Sequence, residues 1–135
     1  MHERLSGLRA VHSYEYFNGS WSVPTNDPQS GRTPPVLQPV VRTHPVTGRK
    51  ALYIDPAMVP MIDGLGEDES RDLLDDLFER IVRPEYVYRH EWRLGDALMW
   101  DNAATIHRRE AFDPASQRLM KRTTIRPPEG RGVPF

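Results

Sequence analysis

Cysteine is absent from the 135 residues, so disulfide bonds and zinc sites with thiolate ligands are excluded. Long apolar runs are absent too, since no stretch approaches the roughly 18 residues that a membrane-spanning helix needs. The segment Met1–Leu5 lacks the apolar core of a signal peptide. We therefore expect a cytoplasmic protein that has no membrane partner.

Neither sign of charge dominates the chain. The formal net charge is −1, from 18 Lys and Arg against 19 Asp and Glu. A protein whose main partner is a nucleic acid usually carries a basic field, and no run of like charges forms a tail here. The balance of charge argues against a nucleic acid as the main partner.

Proline is abundant, with 13 residues in 135, and the hydrophobic fraction of 38% is low for a compact domain. The length allows one domain at most. These totals indicate a loop-rich chain, or a piece of something larger.

The first half contains only weak signals for secondary structure. A three-residue spacing of apolar positions predicts a short helix within residues 1–17. Residues 18–41 are loop-rich, with room for a short strand at 37–41. A turn at 45–48 should lead into a strand at 51–54.

The second half has one strong helix signal. From Asp68 to about Val82, the apolar side chains fall on one stripe, formed by Leu73, Leu74, Leu77, Phe78 and Ile81. Alternating patterns then predict strands at 86–92, 97–100 and 118–125, with an irregular tail at 126–135. Short strands with one helix indicate a mainly β fold with helix (α+β), part of an antiparallel jelly roll. A lone half of a jelly roll exposes sheet edges, which suggests that a partner segment is missing.

Two arginines near the end of the chain are candidates for binding anions. On a strand, Arg118 and Arg122 would share one face about 13 Å apart, at about 3.3 Å per residue. Inside a barrel each guanidinium would need an anion, and a planar guanidinium matches a carboxylate or sulfonate. The pattern alone favours the alternative that this face meets solvent, with Lys121 on the other side. A lone histidine such as His107 is likewise more often structural or exposed than a metal ligand.

The order of these residues carries a family resemblance. The set resembles the C-terminal motif of the taurine dioxygenase and 2,4-dichlorophenoxyacetate dioxygenase family, and it comprises Trp100, Asp101, Asn102, His107, Arg118 and Arg122. The segments 43–53, 83–86 and 92–96 also agree with the family in order and spacing. The resemblance covers residues 42–125, and more loosely residues 5–17.

The resemblance implies a single partial dioxygenase domain at 1–135, the C-terminal portion of a double-stranded β-helix (jelly roll). Such an enzyme uses Fe(II), O2 and the cosubstrate 2-oxoglutarate, which it decarboxylates to succinate while hydroxylating a small, anionic organic substrate. By the same resemblance, His107 is an iron ligand, Arg118 binds the C5 carboxylate of 2-oxoglutarate, and Arg122 pairs with the anionic group of the substrate. Trp100, Asp101 and Asn102 would aim His107 from outside the metal site. Family members often form dimers or tetramers, so a homo-oligomer is an open expectation.

The chain departs from the family at the iron site. The family's other two ligands form a His-x-Asp or His-x-Glu motif, but the second residue after each histidine here is Arg4, Tyr14, Val46, Trp92 or Arg109. Ala103 also stands where a common form of the motif has arginine. We expect the isolated chain to bind Fe(II) weakly and not to turn over. The alternatives are a non-catalytic, anion-binding or interaction remnant of the same fold, and a jelly-roll domain of another class, such as a cupin-type isomerase or sugar-binding domain.

Overall fold

A computed structural model of the chain describes residues 2–19, 32–102 and 104–125. The elements in chain order are α1 (His2–Leu5), β1 (Arg9–His12), α2 (Tyr14–Gly19), β2 (Val36–Pro39), β3 (Val41–Thr43), β4 (Lys50–Leu52), β5 (Met61–Ile62), α3 (Glu67–Ile81) and a 3-10 helix (Pro84–Tyr86). Every strand pairing is antiparallel. The described residues therefore combine small antiparallel sheets with helices, in agreement with the predicted α+β class.

The strands form two sheets. The first has the order β2-β1-β5, with Ala10 of β1 opposite Gln38 on one side and Ile62 on the other. The second pairs β3 with β4 across a hairpin turn at residues 44–49. Gly48 in this turn has φ 69°, a left-handed conformation that glycine adopts without steric cost. The predictions of a turn at 45–48 and of a strand following it are confirmed.

Helix α3 confirms the strongest prediction from the sequence. It begins at Glu67 and ends at Ile81, close to the predicted bounds. Three acidic side chains occupy its first turn, where the helix dipole favours negative charge. Leu73, Leu74 and Leu77 of its apolar stripe are buried in the core, and Phe78 packs against it partly buried. The other core members are Leu5, Ala10, Val40, Ile54, Val59 and Ile62. Within the described ranges, no helix is long and apolar enough to cross a membrane.

A buried hydrogen bond joins α3 to the first sheet. The backbone N–H of Ile62 in β5 donates to Oγ of Ser70 at 2.7 Å. Both residues are almost fully buried, at 0% and 1% exposure. The serine therefore satisfies a strand N–H that no water can reach.

The predicted helix over residues 1–17 is wrong as a single element. The chain forms α1, then the central strand β1, then α2. Gly7, with φ 86°, separates α1 from β1. Pairing of β1 on both sides, with Ala10 fully buried, outweighs the helical spacing of the apolar residues. The strand predicted at 37–41 appears as β2 and β3, and residues 20–31 of the predicted loop lie outside the described residues.

The strands predicted at 86–92, 97–100 and 118–125 are not formed in the structure. These segments have no regular secondary structure beyond the short 3-10 helix, and most of their side chains are exposed. A strand is held by hydrogen bonds to a neighbouring strand, and no described strand pairs with these segments. The turn at Gly95-Asp96 is confirmed by the bond from Asp96 N–H to the carbonyl of Arg93 at 3.1 Å. The predicted tail at 126–135 lies outside the described residues.

Candidate functional site

The loop that carries the predicted iron ligand is organised around the backbone carbonyl of Asp101. This oxygen accepts hydrogen bonds from the N–H groups of Ala104 at 3.2 Å and Thr105 at 3.0 Å. The hydroxyl of Thr105 donates to the same oxygen at 2.6 Å. Asp101, Ala104 and Thr105 are therefore held in a tight turn although they belong to no helix or strand. Ala103, the departure from the family motif, lies outside the described residues.

The aromatic side chain of Trp100 lies between the turn and His107. Its indole N–H donates to Oδ1 of Asn102 at 2.8 Å. Its ring and the imidazole of His107 are 4.8 Å apart between centroids and inclined at 50°. The structure thus brings together three residues that the sequence singled out, with the exposed His107 side chain in contact with the Trp100 ring.

The side chain of Asp101 turns towards the hairpin between β3 and β4. Its Oδ2 lies 2.6 Å from Nε2 of His44. The other ring nitrogen of His44, Nδ1, accepts the backbone N–H groups of Val46 at 3.3 Å and Thr47 at 3.0 Å. Sequence reasoning gave no role to His44, and only the structure connects it with the motif.

A cavity of about 260 Å³ opens beside the loop. His107 and Asn102 belong to its wall. The complete lining consists of His12, Leu52, Tyr53, Ile54, Asp55, Met58, Asn102, Ala104, Thr105, Ile106 and His107. The predicted metal ligand therefore faces residues from β1 and from the segment after β4, which the sequence did not connect with it.

His12 lines this cavity and, like His44, was given no role by sequence reasoning. Its ring stacks on Tyr53 with centroids 5.1 Å apart, and the guanidinium of Arg42 lies 4.1 Å from the Tyr53 ring centroid. Burial lowers the pKa of His12 from the usual 6.5, and a backbone hydrogen bond with Tyr53 and the charge of Asp55 offset part of that effect. The imidazole is therefore neutral at pH 7.

The two predicted anion-binding arginines lie apart from the cavity. The guanidinium of Arg118 is 5.2 Å from the ring centroid of Phe112, and that of Arg109 is at the same distance. Arg118 and Arg122 are both exposed, and neither lines the cavity beside His107. Because no strand forms at 118–125, the shared strand face expected for this pair is not present either.

The described residues do not complete an iron site. Among them, no group of three His, Cys, Asp or Glu side chains is placed to hold a metal ion. The expected three-ligand site holds Fe(II) with two histidines and one carboxylate on one face. His107 alone does not fit that requirement, so these residues do not by themselves supply the chemistry of an iron centre.

Comparison with known proteins decides the family. The family described as Taurine catabolism dioxygenase TauD, TfdA family matches residues 1–124. The chain belongs to the TauD, TfdA family. This match also includes β1, which the resemblance seen in the sequence covered only loosely, and α1 and β2, which lay almost wholly outside that resemblance.

Curated relatives of the TauD, TfdA family match nine tenths or more of this chain. The alpha-ketoglutarate-dependent 2,4-dichlorophenoxyacetate dioxygenase of Cupriavidus pinatubonensis is 38% identical over 92% of this chain and 43% of its own length. The (S)-phenoxypropionate/alpha-ketoglutarate-dioxygenase of Sphingobium herbicidovorans is 34% identical over 90% of this chain and 45% of its own. The chain thus spans somewhat less than half the length of these relatives.

Solved TauD, TfdA structures show the same fold over two thirds of the chain. The crystal structure of AAD-2 in complex with Mn(II) and N-oxalylglycine has a TM-score of 0.60 and 37% identity, covering 69% of this chain and 36% of that one. A putative alpha-ketoglutarate dependent 2,4-D dioxygenase from Burkholderia xenovorans has a TM-score of 0.61 and 30% identity, covering 68% and 36%. The alternative of a jelly-roll domain of another class is therefore wrong.

Proposed function

We propose that this chain supplies the C-terminal part of the active site of an Fe(II)- and 2-oxoglutarate-dependent dioxygenase. The observation that carries the proposal is the family match over residues 1–124, which includes the ordered motif from Trp100 to Arg122. The reaction is hydroxylation of a small organic anion, with O2 consumed and 2-oxoglutarate decarboxylated to succinate. A partial jelly roll and a cytoplasmic location belong to the same proposal.

His107 is the residue of this chain that we assign to the iron. Its support is the contact of its ring with Trp100 and its place in the wall of a 260 Å³ cavity. Iron and cosubstrate supply the redox chemistry when bound, and the task of His107 is to present one imidazole nitrogen.

Arg118 is assigned to the C5 carboxylate of 2-oxoglutarate. A guanidinium binds a carboxylate through two parallel hydrogen bonds, which fixes orientation as well as position. AAD-2 was crystallised with N-oxalylglycine, a molecule that, like 2-oxoglutarate, ends in two carboxylates. In the described structure Arg118 only stacks on Phe112, so it is available for such a partner.

Arg122 is assigned to the anionic group of the substrate. The relatives are named for 2,4-dichlorophenoxyacetate and (S)-phenoxypropionate, which are carboxylates, and others are named as an alkylsulfatase and a sulfonate dioxygenase. All four names imply a substrate with a charged oxygen-rich group. An arginine suits each of these groups equally well, so the substrate class is an anion and its identity is open.

The remaining iron ligands and the strand partners must come from polypeptide beyond the described residues. Two features support this part of the proposal. The described residues lack a three-ligand group, and residues 86–125 expose many large apolar side chains that a folded barrel would cover. A segment with exposed apolar side chains and backbone groups that no strand pairs with can form main-chain hydrogen bonds to an added strand.

The proposal is tested with a fusion protein. The part of the Cupriavidus pinatubonensis relative outside the matched segment is joined to this chain, and 2-oxoglutarate decarboxylation is followed with Fe(II) and ascorbate. Arg118→Ala should raise KM for 2-oxoglutarate by about 10- to 100-fold, the loss expected for a charge-assisted hydrogen bond. Arg109→Ala is the matched control, because Arg109 lies at the same distance from Phe112. Equal effects of the two substitutions would contradict the assignment.

Arg122 is tested in the same fusion with a substrate present. Arg122→Ala should raise KM for the anionic substrate and leave KM for 2-oxoglutarate unchanged, while Lys121→Ala should change neither. If Arg122→Ala raised KM for 2-oxoglutarate instead, the assignment of Arg118 to 2-oxoglutarate and Arg122 to the substrate would be contradicted.

A non-catalytic, anion-binding remnant is the second candidate function. The lack of a three-ligand group among the described residues favours it. It predicts that the isolated chain binds a dicarboxylate through Arg118 but that no fusion restores decarboxylation.

A further inference from the structure

His44 has both ring nitrogens committed to different parts of the chain. Nδ1 accepts two backbone N–H groups within its own hairpin turn, from Val46 and Thr47. A nitrogen that accepts hydrogen bonds carries no proton, so the proton of the neutral ring is on Nε2. Nε2–H therefore donates to Oδ2 of Asp101, at 2.6 Å. The side chain of His44 is 12% exposed and that of Asp101 is 53% exposed, so the donor end of this bond is buried and the acceptor end meets solvent.

Backbone hydrogen bonds fix the hairpin that holds His44. The N–H of His44 donates to the carbonyl of Arg49 at 2.8 Å, and the N–H of Gly48 donates to the carbonyl of His44 at 2.9 Å. The flanking strands pair in register from Val41 opposite Leu52 to Thr43 opposite Lys50. The position of the imidazole is thus fixed by a sheet.

The other end of the bond reaches the least regular part of the candidate site. The carbonyl oxygen of Asp101 accepts hydrogen bonds from Ala104 and Thr105, and His107 lies two residues after Thr105. The described residues among 100–107 belong to no helix or strand. A loop without ladder bonds depends on side-chain contacts for its geometry, and the bond to His44 connects this loop to β3 and β4.

We propose that His44 is a positioning residue: its Nε2–H tautomer fixes Asp101, and through Asp101 the turn that presents His107. The structural part stands on the contacts alone, whereas its meaning for catalysis rests on the proposed function of His107. The sequence placed His44 in a segment that resembles the family but gave it no partner, since Asp101 lies 57 positions away.

Two substitutions separate the bonds that His44 makes. In His44→Asn, the amide oxygen can replace Nδ1 as acceptor for the hairpin N–H groups, but the side chain is too short to reach Asp101. In His44→Gln, the longer amide can place an N–H near the position of Nε2 and so donate to Asp101. Amide hydrogen exchange and NMR spectra of the 135-residue chain compare the two variants with the parent.

For the parent we expect an imidazole 15N spectrum of the Nε2–H tautomer at His44. His44→Asn should speed exchange at the N–H groups of Ala104 and Thr105 by about 10- to 100-fold, the range for a lost hydrogen bond to a charged group. It should also weaken the nuclear Overhauser effects between protons of the Trp100 and His107 rings. His44→Gln should restore both, and amides at the α3–β5 contact should be unchanged in either variant as a check on folding.

An Nδ1–H tautomer at His44, or equal exchange at Thr105 in the parent and in His44→Asn, would overturn the proposal. General unfolding of both variants would overturn it as well, because His44 would then support the whole fold rather than the loop. These measurements need neither iron nor 2-oxoglutarate. An intact bond between His44 and Asp101, in a chain whose fusion has no activity, would therefore overturn the proposed function and leave this inference standing.

Discussion

His12 shows how burial acts on a single ionisable residue. Its Nε2 is buried without a hydrogen-bond partner among the described residues, and burial is the main cause that lowers its pKa. A buried nitrogen of this kind resists protonation, because the charged form would lose its hydration without a compensating partner.

The stability of the chain should therefore fall in mild acid. Below the unfolded pKa of 6.5, the unfolded state takes up a proton on His12 before the folded state does. The free energy of unfolding should decrease as the pH falls from 6.5 and level off below the folded pKa. Urea titrations between pH 7.5 and 5 measure this slope, which His12→Gln should reduce. An identical slope in His12→Gln would contradict the burial argument.

Ser70 is expected to be the most sensitive polar residue of the core. Ser70→Ala removes the acceptor of the Ile62 N–H, and an unsatisfied buried donor costs about 1–3 kcal/mol. Asp75→Ala, at an exposed position of the same helix, is the control and should change the free energy of unfolding by less than about 0.5 kcal/mol. Both are measured by urea unfolding, and equal effects would show that the bond contributes nothing.

The residues of the candidate site could be identified from the sequence only where a motif orders them. Trp100, Asn102 and His107 lie close together in the chain, and the structure also brings them together. His12 and His44 could not be identified, because their contacts with the loop depend on how distant segments pack.

At the scale of elements, locality decides what the sequence could predict. Helix α3 was predictable because its stripe repeats within one segment and its acidic first turn marks the start. Strand β1 was not, because its neighbours β2 and β5 are distant in the chain, as the pairing of Arg9 with Pro39 and of Ala10 with Ile62 shows. The alternating patterns at 86–92 and 118–125 indicate a preference for strands, but no described strand pairs with these segments.

The contribution of α3 to the core can be measured at Leu77. This side chain is fully buried, so Leu77→Ala should lower the free energy of unfolding by about 2–5 kcal/mol through lost burial and the resulting cavity. Val82→Ala, at a position that is 57% exposed at the end of the helix, should have little effect. Urea unfolding compares the two variants. A small decrease in the free energy of unfolding for Leu77→Ala would contradict the central place of Leu77 in the core.

At the scale of the whole molecule, the chain divides into a packed part and an unpaired part. The core members all lie between Leu5 and Leu77. Beyond α3, large apolar side chains are exposed, with Leu94, Met99, Leu119 and Ile125 each at least 79% accessible. An apolar surface of this kind marks a site where another polypeptide packs.

Hydrogen exchange should detect this division. In the isolated chain, amides at 86–100 and 118–125 should exchange much faster than those of α3, because they have no ladder bonds. In the fusion with the relative's remaining part, strand pairing should protect them. Strong protection in the isolated chain, or none in an otherwise folded fusion, would contradict the proposed completion of the barrel.

The most direct test of the account is succinate formation from 2-oxoglutarate by three proteins: the isolated chain, the fusion, and the fusion with His107→Ala. We expect steady formation only by the unsubstituted fusion, because the isolated chain lacks a three-ligand group among its described residues and the variant loses its imidazole. Steady formation by the isolated chain, or full activity of the His107→Ala fusion, would contradict the account.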